Sequence, residues 1–181
     1  IVHWFMTNGS VNDPRITTIP FGVAANTSQD IVDIAAETSR YEKLPEMYIN
    51  WVNYTVDRLE YKEHYRELGM KGVNIVDEPK PYKAYLRDLA MHSSIMSPKG
   101  NGIDCYRMLE TLYMGSMPVV EISKVTYDLG ELPILIVKSM YGLRPDELHN
   151  VYLRIKELNR PLDKIKLYYW KERFEQARGT L

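Results

Sequence analysis

The chain has 181 residues, 45% hydrophobic and 26% charged. At this length folding buries roughly 70% of the unfolded surface, and no apolar run approaches the roughly 20 residues that cross a bilayer, so no membrane span is expected. With 23 basic against 24 acidic residues the net charge is -1, which gives no global attraction to nucleic acid or anionic lipid, so any anion site has to be local. The single Cys105 excludes an internal disulfide framework and suits a reducing compartment.

Residues 1–45 differ in texture from the rest. Residues 1–5 read as a strand, Asn8-Gly9-Ser10 and Asn12-Asp13-Pro14 are turn chemistry, and residues 19–23 are a short apolar piece broken by Pro20 and Gly22. A helix begins at Thr27 or Ser28 with an oxygen cap and carries Ile31, Ile34 and Ala35 on one face. This stretch has little core of its own. The chain starts at Ile1 without a signal-peptide pattern and is expected to be a piece of something longer. The sequons at Asn8, Asn26 and Asn53 are of a kind that arises often by chance.

From Glu46 short apolar runs alternate with amphipathic segments. Residues 47–52, 72–76, 93–97, 117–122 and 133–137 read as strands. Helices are expected from Thr55 or Val56 to Leu68, stopped at Gly69, and then over 82–90, 103–114 and 145–158. Tyr82, Tyr85, Leu86 and Leu89 would face inward on the second of these. Residues 165–178, rich in Tyr, Trp and Lys, read as a last helix with one aromatic face. Strand and helix alternating at this spacing imply right-handed crossovers, hence an α/β fold: a doubly wound, Rossmann-like parallel sheet with helices on both faces. The ligand then belongs outside the carboxyl ends of the strands, where the turns after Val52, Val76, Ser97 and Ile122 gather.

The chemistry concentrates in residues 97–120. After the strand ending near Ser97, Gly100 and Gly102 permit positive φ and let backbone N–H groups approach a ligand. A helix starting near Ile103 or Asp104 would aim its N–H groups and positive dipole end at an anion, and a diphosphate fits that field. Asp104, Arg107 and Glu110 recur at intervals of three: Arg107 can pair with phosphate oxygens bidentately, and Glu110 can accept both hydroxyls of a ribose diol. The bland alternative makes Asp104 and Arg107 an ordinary i,i+3 ion pair worth a few tenths of a kcal/mol.

The run Ser97-Pro98-Lys99-Gly100-Asn101-Gly102-Ile103-Asp104-Cys105-Tyr106-Arg107-Met108-Leu109-Glu110, continuing through Gly115-Ser116-Met117-Pro118-Val119-Val120, resembles the signature of exostosin-like glycosyltransferases. That signature reads Ser-Pro-Arg-Gly, an Arg, Glu-Ala-Leu, then Gly-x-Ile-Pro-Val. Lys99, Thr111 and Met117 are mild departures. The segment from Tyr127 to Pro133 with Ile136-Val137, and Asn53-Tyr54-Thr55 with Arg58, are similar to flanking parts of the family, and the likeness covers about residues 46–158.

The resemblance implies the C-terminal half of a GT-B architecture, with 46–160 as the nucleotide-sugar-binding domain. Residues 1–45 would be a remnant of, or linker from, the N-terminal half, and 161–181 a helix packing back on the fold. By matching position Glu110 would grip the ribose and Arg107 the diphosphate. The turn from Lys99 through Gly100 and Asn101 to Gly102, with Asp104, would lie beside the phosphates, and Arg58 would be a second phosphate partner. The donor would be a UDP- or GDP-sugar and the acceptor a glycan or other hydroxyl compound. Transfer would be inverting, with no cofactor and no metal. A catalytic base would come from an N-terminal half or partner subunit. The expected location is cytoplasmic, or the Golgi lumen if the chain is excised from a longer one. Two other classes compete: a noncatalytic nucleotide- or carbohydrate-binding module, and a Rossmann-like unit serving assembly alone.

Other residues carry weaker signals. Glu60 and His64, one turn apart, make half a metal site without further ligands nearby, and His3, His92 and His149 are scattered. Cys105 lacks an identifiable base. Asp77 and Glu78 either touch a base or sugar or serve the turn before Pro79. Tyr168, Tyr169, Trp170 and Phe174 among Lys166, Lys171 and Arg173 read as a docking face in preference to a nucleic-acid stacking surface.

Overall fold

The computed structural model describes residues 3–51 and 55–179. Two short strands, β1 (Trp4–Met6) and β2 (Ile16–Thr18), pair in parallel, and a 3-10 turn leads into α1 (Ser28–Thr38). Strand and helix then alternate as β3 (Leu44–Ile49), α2 (Val56–Leu68), β4 (Val73–Ile75), α3 (Tyr82–Met91), β5 (His92–Met96) and α4 (Tyr106–Tyr113). β6 (Met117–Glu121), α5 (Lys124–Asp128), β7 (Leu135–Val137), α6 (Pro145–Glu157) and α7 (Leu167–Gly179) complete the chain.

β3 to β7 form one five-stranded sheet in the order β4-β3-β5-β6-β7, every pair parallel. This is a Rossmann-like α/β sheet with helices on both faces. The period of two along β3 divides the core: Met47 and Ile49 face Tyr61 and Tyr65 of α2 and Leu148 and Tyr152 of α6. Tyr48 and, on β5, Ile95 face Ile31 and Ile34 of α1 and Leu86 and Leu89 of α3. A third cluster joins Met108, Leu109 and Leu112 of α4 to Val120, Val125 and Leu129. Each such fully buried aliphatic side chain contributes about 1.5–3 kcal/mol.

Local chemistry sets the helix ends. Thr55 Oγ1 accepts the Arg58 N–H at 3.3 Å to start α2, and Gly69, at φ 53°, ends it with its N–H on the Arg66 carbonyl. Pro145 occupies the first turn of α6, with Asp146 and Glu147 at its positive end and Arg154 and Lys156 in its last turn.

Several sequence expectations shift. The first strand is Trp4–Met6 and not 1–5, with Ile1 and Val2 outside the described residues. The strand expected over 47–52 is Leu44–Ile49, and Val52, Asn53 and Tyr54 lie outside them. The oxygen cap on α1 is absent because the Thr27 and Ser28 hydroxyls fold back to donate to the Ala24 and Ala25 carbonyls at 2.8 and 3.0 Å. α5 is an addition, set by a capping box between Ser123 and Thr126.

α7 runs back over the N-terminal strands. Phe174 meets Phe5 edge-on, ring centroids 4.5 Å apart, and the buried Trp170 donates its indole N–H to the Lys164 carbonyl at 2.7 Å. Among the described residues no helix is long and apolar enough to cross a membrane.

Candidate functional site

The strand order reverses between β3 and β5, because β3 is followed by β4 on one side while the chain returns through α3 to build β5 on the other. In open parallel sheets the carboxyl ends flanking such a reversal splay apart and leave a crevice. A cleft of about 410 Å³ opens there. Asn50 and Trp51 from the end of β3, and Arg58 from α2, form one side. Pro79, Lys80, Tyr82 and Tyr85 lead into and along α3, and Cys105, Tyr106, Arg107 and Glu110 come from the start of α4.

Glu110 is nearly buried, and both of its carboxylate oxygens are occupied: the Tyr82 hydroxyl donates to Oε1 at 2.8 Å and the Tyr85 hydroxyl to Oε2 at 3.0 Å. Burial raises the pKa of both phenols and the adjoining carboxylate adds to it, so they stay protonated donors. Each Glu110 oxygen keeps a further lone pair for a ligand hydroxyl. Arg107, one turn earlier, stands 5.9 Å from the centroid of the Trp51 ring, and its buried Nε has no hydrogen-bond partner. An N–H left in that state costs about 1–3 kcal/mol, a cost that a ligand oxygen would remove.

Trp51 is held from behind. Its indole N–H donates to the Arg58 carbonyl at 2.9 Å, and the buried Lys62 ammonium donates to the Trp51 carbonyl at 3.0 Å while pairing with Asp77 at 3.2 Å. Arg58 staples α2 to the loop after β5, Nε to the Lys99 carbonyl at 2.9 Å and Nη2 to the Pro98 carbonyl at 3.2 Å.

The loop itself departs from expectation in three ways. Gly100 and Gly102 do not adopt positive φ; they are needed for close approach, since a Cβ on Gly100 would lie 2.7 Å from Arg58 Nη2 and one on Gly102 2.9 Å from Asn8 Nδ2. The Gly100 N–H closes onto the Gly102 carbonyl at 3.0 Å, so it does not face a ligand. Asp104 lies before the helix, its N–H donating to Asn8 Oδ1 and its Oδ2 accepting the Phe21 N–H, both at 2.6 Å. These two long-range bonds hold the backbone extended through Cys105, at φ -141° and ψ 157°, and delay α4 from Ile103 or Asp104 to Tyr106. The i,i+3 pairing of Asp104 with Arg107 therefore does not form.

Arg58, Arg107 and Glu110 are thus brought together in the cleft, whereas Lys99, Gly100, Asn101, Gly102 and Asp104 build the loop leading to α4. Lys99 points outward and pairs with Asp57 at 2.9 Å, and Asn101 is exposed. Asp77 is engaged by Arg66 as well as Lys62. Glu60 accepts the Tyr141 hydroxyl at 3.3 Å and His64 packs edge-on against Tyr65 and Tyr141. Among the described residues no three ligating side chains gather into a metal-holding group.

Trp51, Lys80, Tyr82 and Tyr85 are site residues beyond those expected. The only sequence signal for the tyrosines is their spacing of three at the start of α3. No family model matches this chain, and no curated protein matches it.

Proposed function

We propose that this chain is the donor-binding half of a glycosyltransferase of the GT-B type, holding a UDP- or GDP-sugar in the cleft between β3 and β5. The carrying observation is the Arg107 Nε, buried without a partner one helical turn from the Glu110 carboxylate. A diphosphate supplies the acceptor oxygens for Arg107 and the first N–H groups of α4, and a ribose diol supplies hydroxyls for Glu110. The likeness of residues 97–120 to the exostosin signature points the same way.

In the transfer step an acceptor hydroxyl attacks the anomeric carbon, the glycosidic bond to the diphosphate breaks, and Arg107 with the α4 N-terminus stabilises the charge growing on the leaving oxygen. The hydroxyl proton needs a base. Among the described lining residues the one carboxylate, Glu110, already accepts two phenols, so the base belongs to an N-terminal half or partner subunit. That same occupancy favours a second reading, a noncatalytic nucleotide-binding module.

Calorimetric titration of UDP, GDP and their sugars tests the site. The expected result is saturable binding that weakens at least about tenfold in Arg107→Ala, equal to about 1.4 kcal/mol, and weakens in Glu110→Gln. Failure of every nucleotide to bind, or equal affinity in both variants, removes the donor-site reading. Nucleotide binding without sugar transfer or donor hydrolysis, with broad acceptors, selects the module.

A further inference from the structure

A second, larger cleft of about 630 Å³ lies between the N-terminal strand pair, α5 and α7, inside the roughly 300–1,000 Å³ range of small-ligand sites. Its rings are His3, Phe5, Tyr169 and Trp170, and none of the three core clusters fills it. Lys124, Lys164 and Arg173 line it against one carboxylate, Asp128.

That carboxylate is already committed, pairing with Lys124 and accepting the Thr18 hydroxyl at 2.6 Å. Lys164 reaches Glu131 at the exposed rim at 2.8 Å. Arg173 forms no ion pair among the described residues; it stacks on Tyr169 at 5.3 Å and donates to that residue's hydroxyl at 3.1 Å. A guanidinium oriented by a ring and closed onto no carboxylate among the described residues, its charge reaching Glu131 only at longer range, with Lys164 lining the same cleft, is a fork for a phosphoryl group. On the strand-pair wall the Thr17 hydroxyl, bonded to His3 Nε2 at 2.7 Å, presents hydroxyl chemistry in the same cleft as Phe5. A body that carries both C–H faces and hydroxyls suits this wall better than a purely apolar or purely charged one.

We propose that this cleft binds a sugar phosphate, with Arg173 and Lys164 meeting the phosphoryl group and the Phe5, Thr17 and Trp170 side meeting the sugar. The site is separate from the nucleotide cleft and does not depend on it. Titrating glucose 6-phosphate, glucose and inorganic phosphate into the full chain, followed by calorimetry and amide chemical shifts, tests the assignment. The expected result is binding of glucose 6-phosphate at least tenfold tighter than either component, weakened at least tenfold in Arg173→Ala and unchanged in Arg107→Ala. Arg173 is exposed, so that variant is expected to retain its circular dichroism, and Thr17→Val supplies a second variant on the sugar side. Absence of binding, equal binding of inorganic phosphate, binding that survives Arg173→Ala, or binding that fails in Arg107→Ala overturns the proposal. UDP affinity in Arg173→Ala is read in parallel, so that this site and the nucleotide cleft fail independently.

Discussion

The side-chain carbonyl of Asn8 accepts the backbone N–H of Asp104 at 2.6 Å across 96 positions of chain. Asn8 reaches it from the left-handed region, φ 53°, which asparagine tolerates better than most residues. With the Phe21 N–H on the Asp104 carboxylate and the Phe21 ring 4.9 Å from Tyr106, the N-terminal segment clamps the loop that sets the start of α4 and hence the aim of Arg107.

Asn8→Ala removes the acceptor and leaves the Asp104 N–H without a partner, a loss of about 1–3 kcal/mol. Denaturant unfolding should show that loss, and UDP affinity should fall several-fold although Asn8 does not line the cleft. Unchanged affinity with reduced stability would separate the clamp from the site.

Gly102→Ala places a Cβ 2.9–3.0 Å from the Asn8 side-chain atoms, so one of the two must move. Overpacking of this kind costs about 1–3 kcal/mol. The double variant Asn8→Ala/Gly102→Ala should lose less than the sum of the single losses, since the clash disappears with the amide. Additive losses in the melts would show that the loop is constrained elsewhere.

Asp104 gives the clamp a pH dependence. Burial raises its carboxyl pKa above 3.8, more than the backbone N–H bonds from Phe21 and Cys105 lower it. In the window from 3.8 up to the raised value the folded chain therefore binds more protons than the unfolded one, and stability from this group falls as pH rises. Asp104→Asn keeps a carbonyl for Phe21 and does not titrate. The free energy of unfolding of the variant minus that of the parent should grow as pH increases through that window and then level off. A flat difference would mean that Asp104 ionises as freely folded as unfolded.

The sheet is legible because parallel strands covered on both faces must be short apolar runs, and Met47, Ile95 and Val119 sit in such runs between Gly, Pro and amphipathic stretches. β1 is legible with shifted bounds, whereas β2, a short Ile-Thr-Thr piece just after turn residues, and the five-residue α5 carry no pattern of their own. Arg107 and Glu110, singled out by their spacing of three on a helix, do line the same cleft. Tyr82 and Tyr85 have the same spacing, but it reads equally as a packing face, and in fact they do both, packing beside Leu86 while donating to Glu110. The role of Asp104 is set by Phe21, 83 positions away, and no local pattern carries such a contact.

Lys43 offers a test of how the opposite end of the sheet is held. Its ammonium donates to the Ala90 carbonyl at 2.5 Å and the Met114 carbonyl at 2.7 Å, joining the ends of α3 and α4 where unpaired carbonyls and the negative dipole ends favour a cation. Burial, with Lys156 adding to it, nevertheless lowers its pKa from 10.5 to about 8. A neutral amine still has two hydrogens for the two carbonyls, so the bridge survives deprotonation. Between about 8 and 10.5 the unfolded chain binds more protons than the folded one, which means that stability from this group rises with pH. Lys43→Met lacks the titration and leaves both carbonyls without their donor. The stability gap between parent and variant should therefore widen as pH climbs through that window, with other titrating groups cancelling in the comparison. A gap constant across the same range would place the Lys43 ammonium in water and leave the two helix ends tied by packing alone.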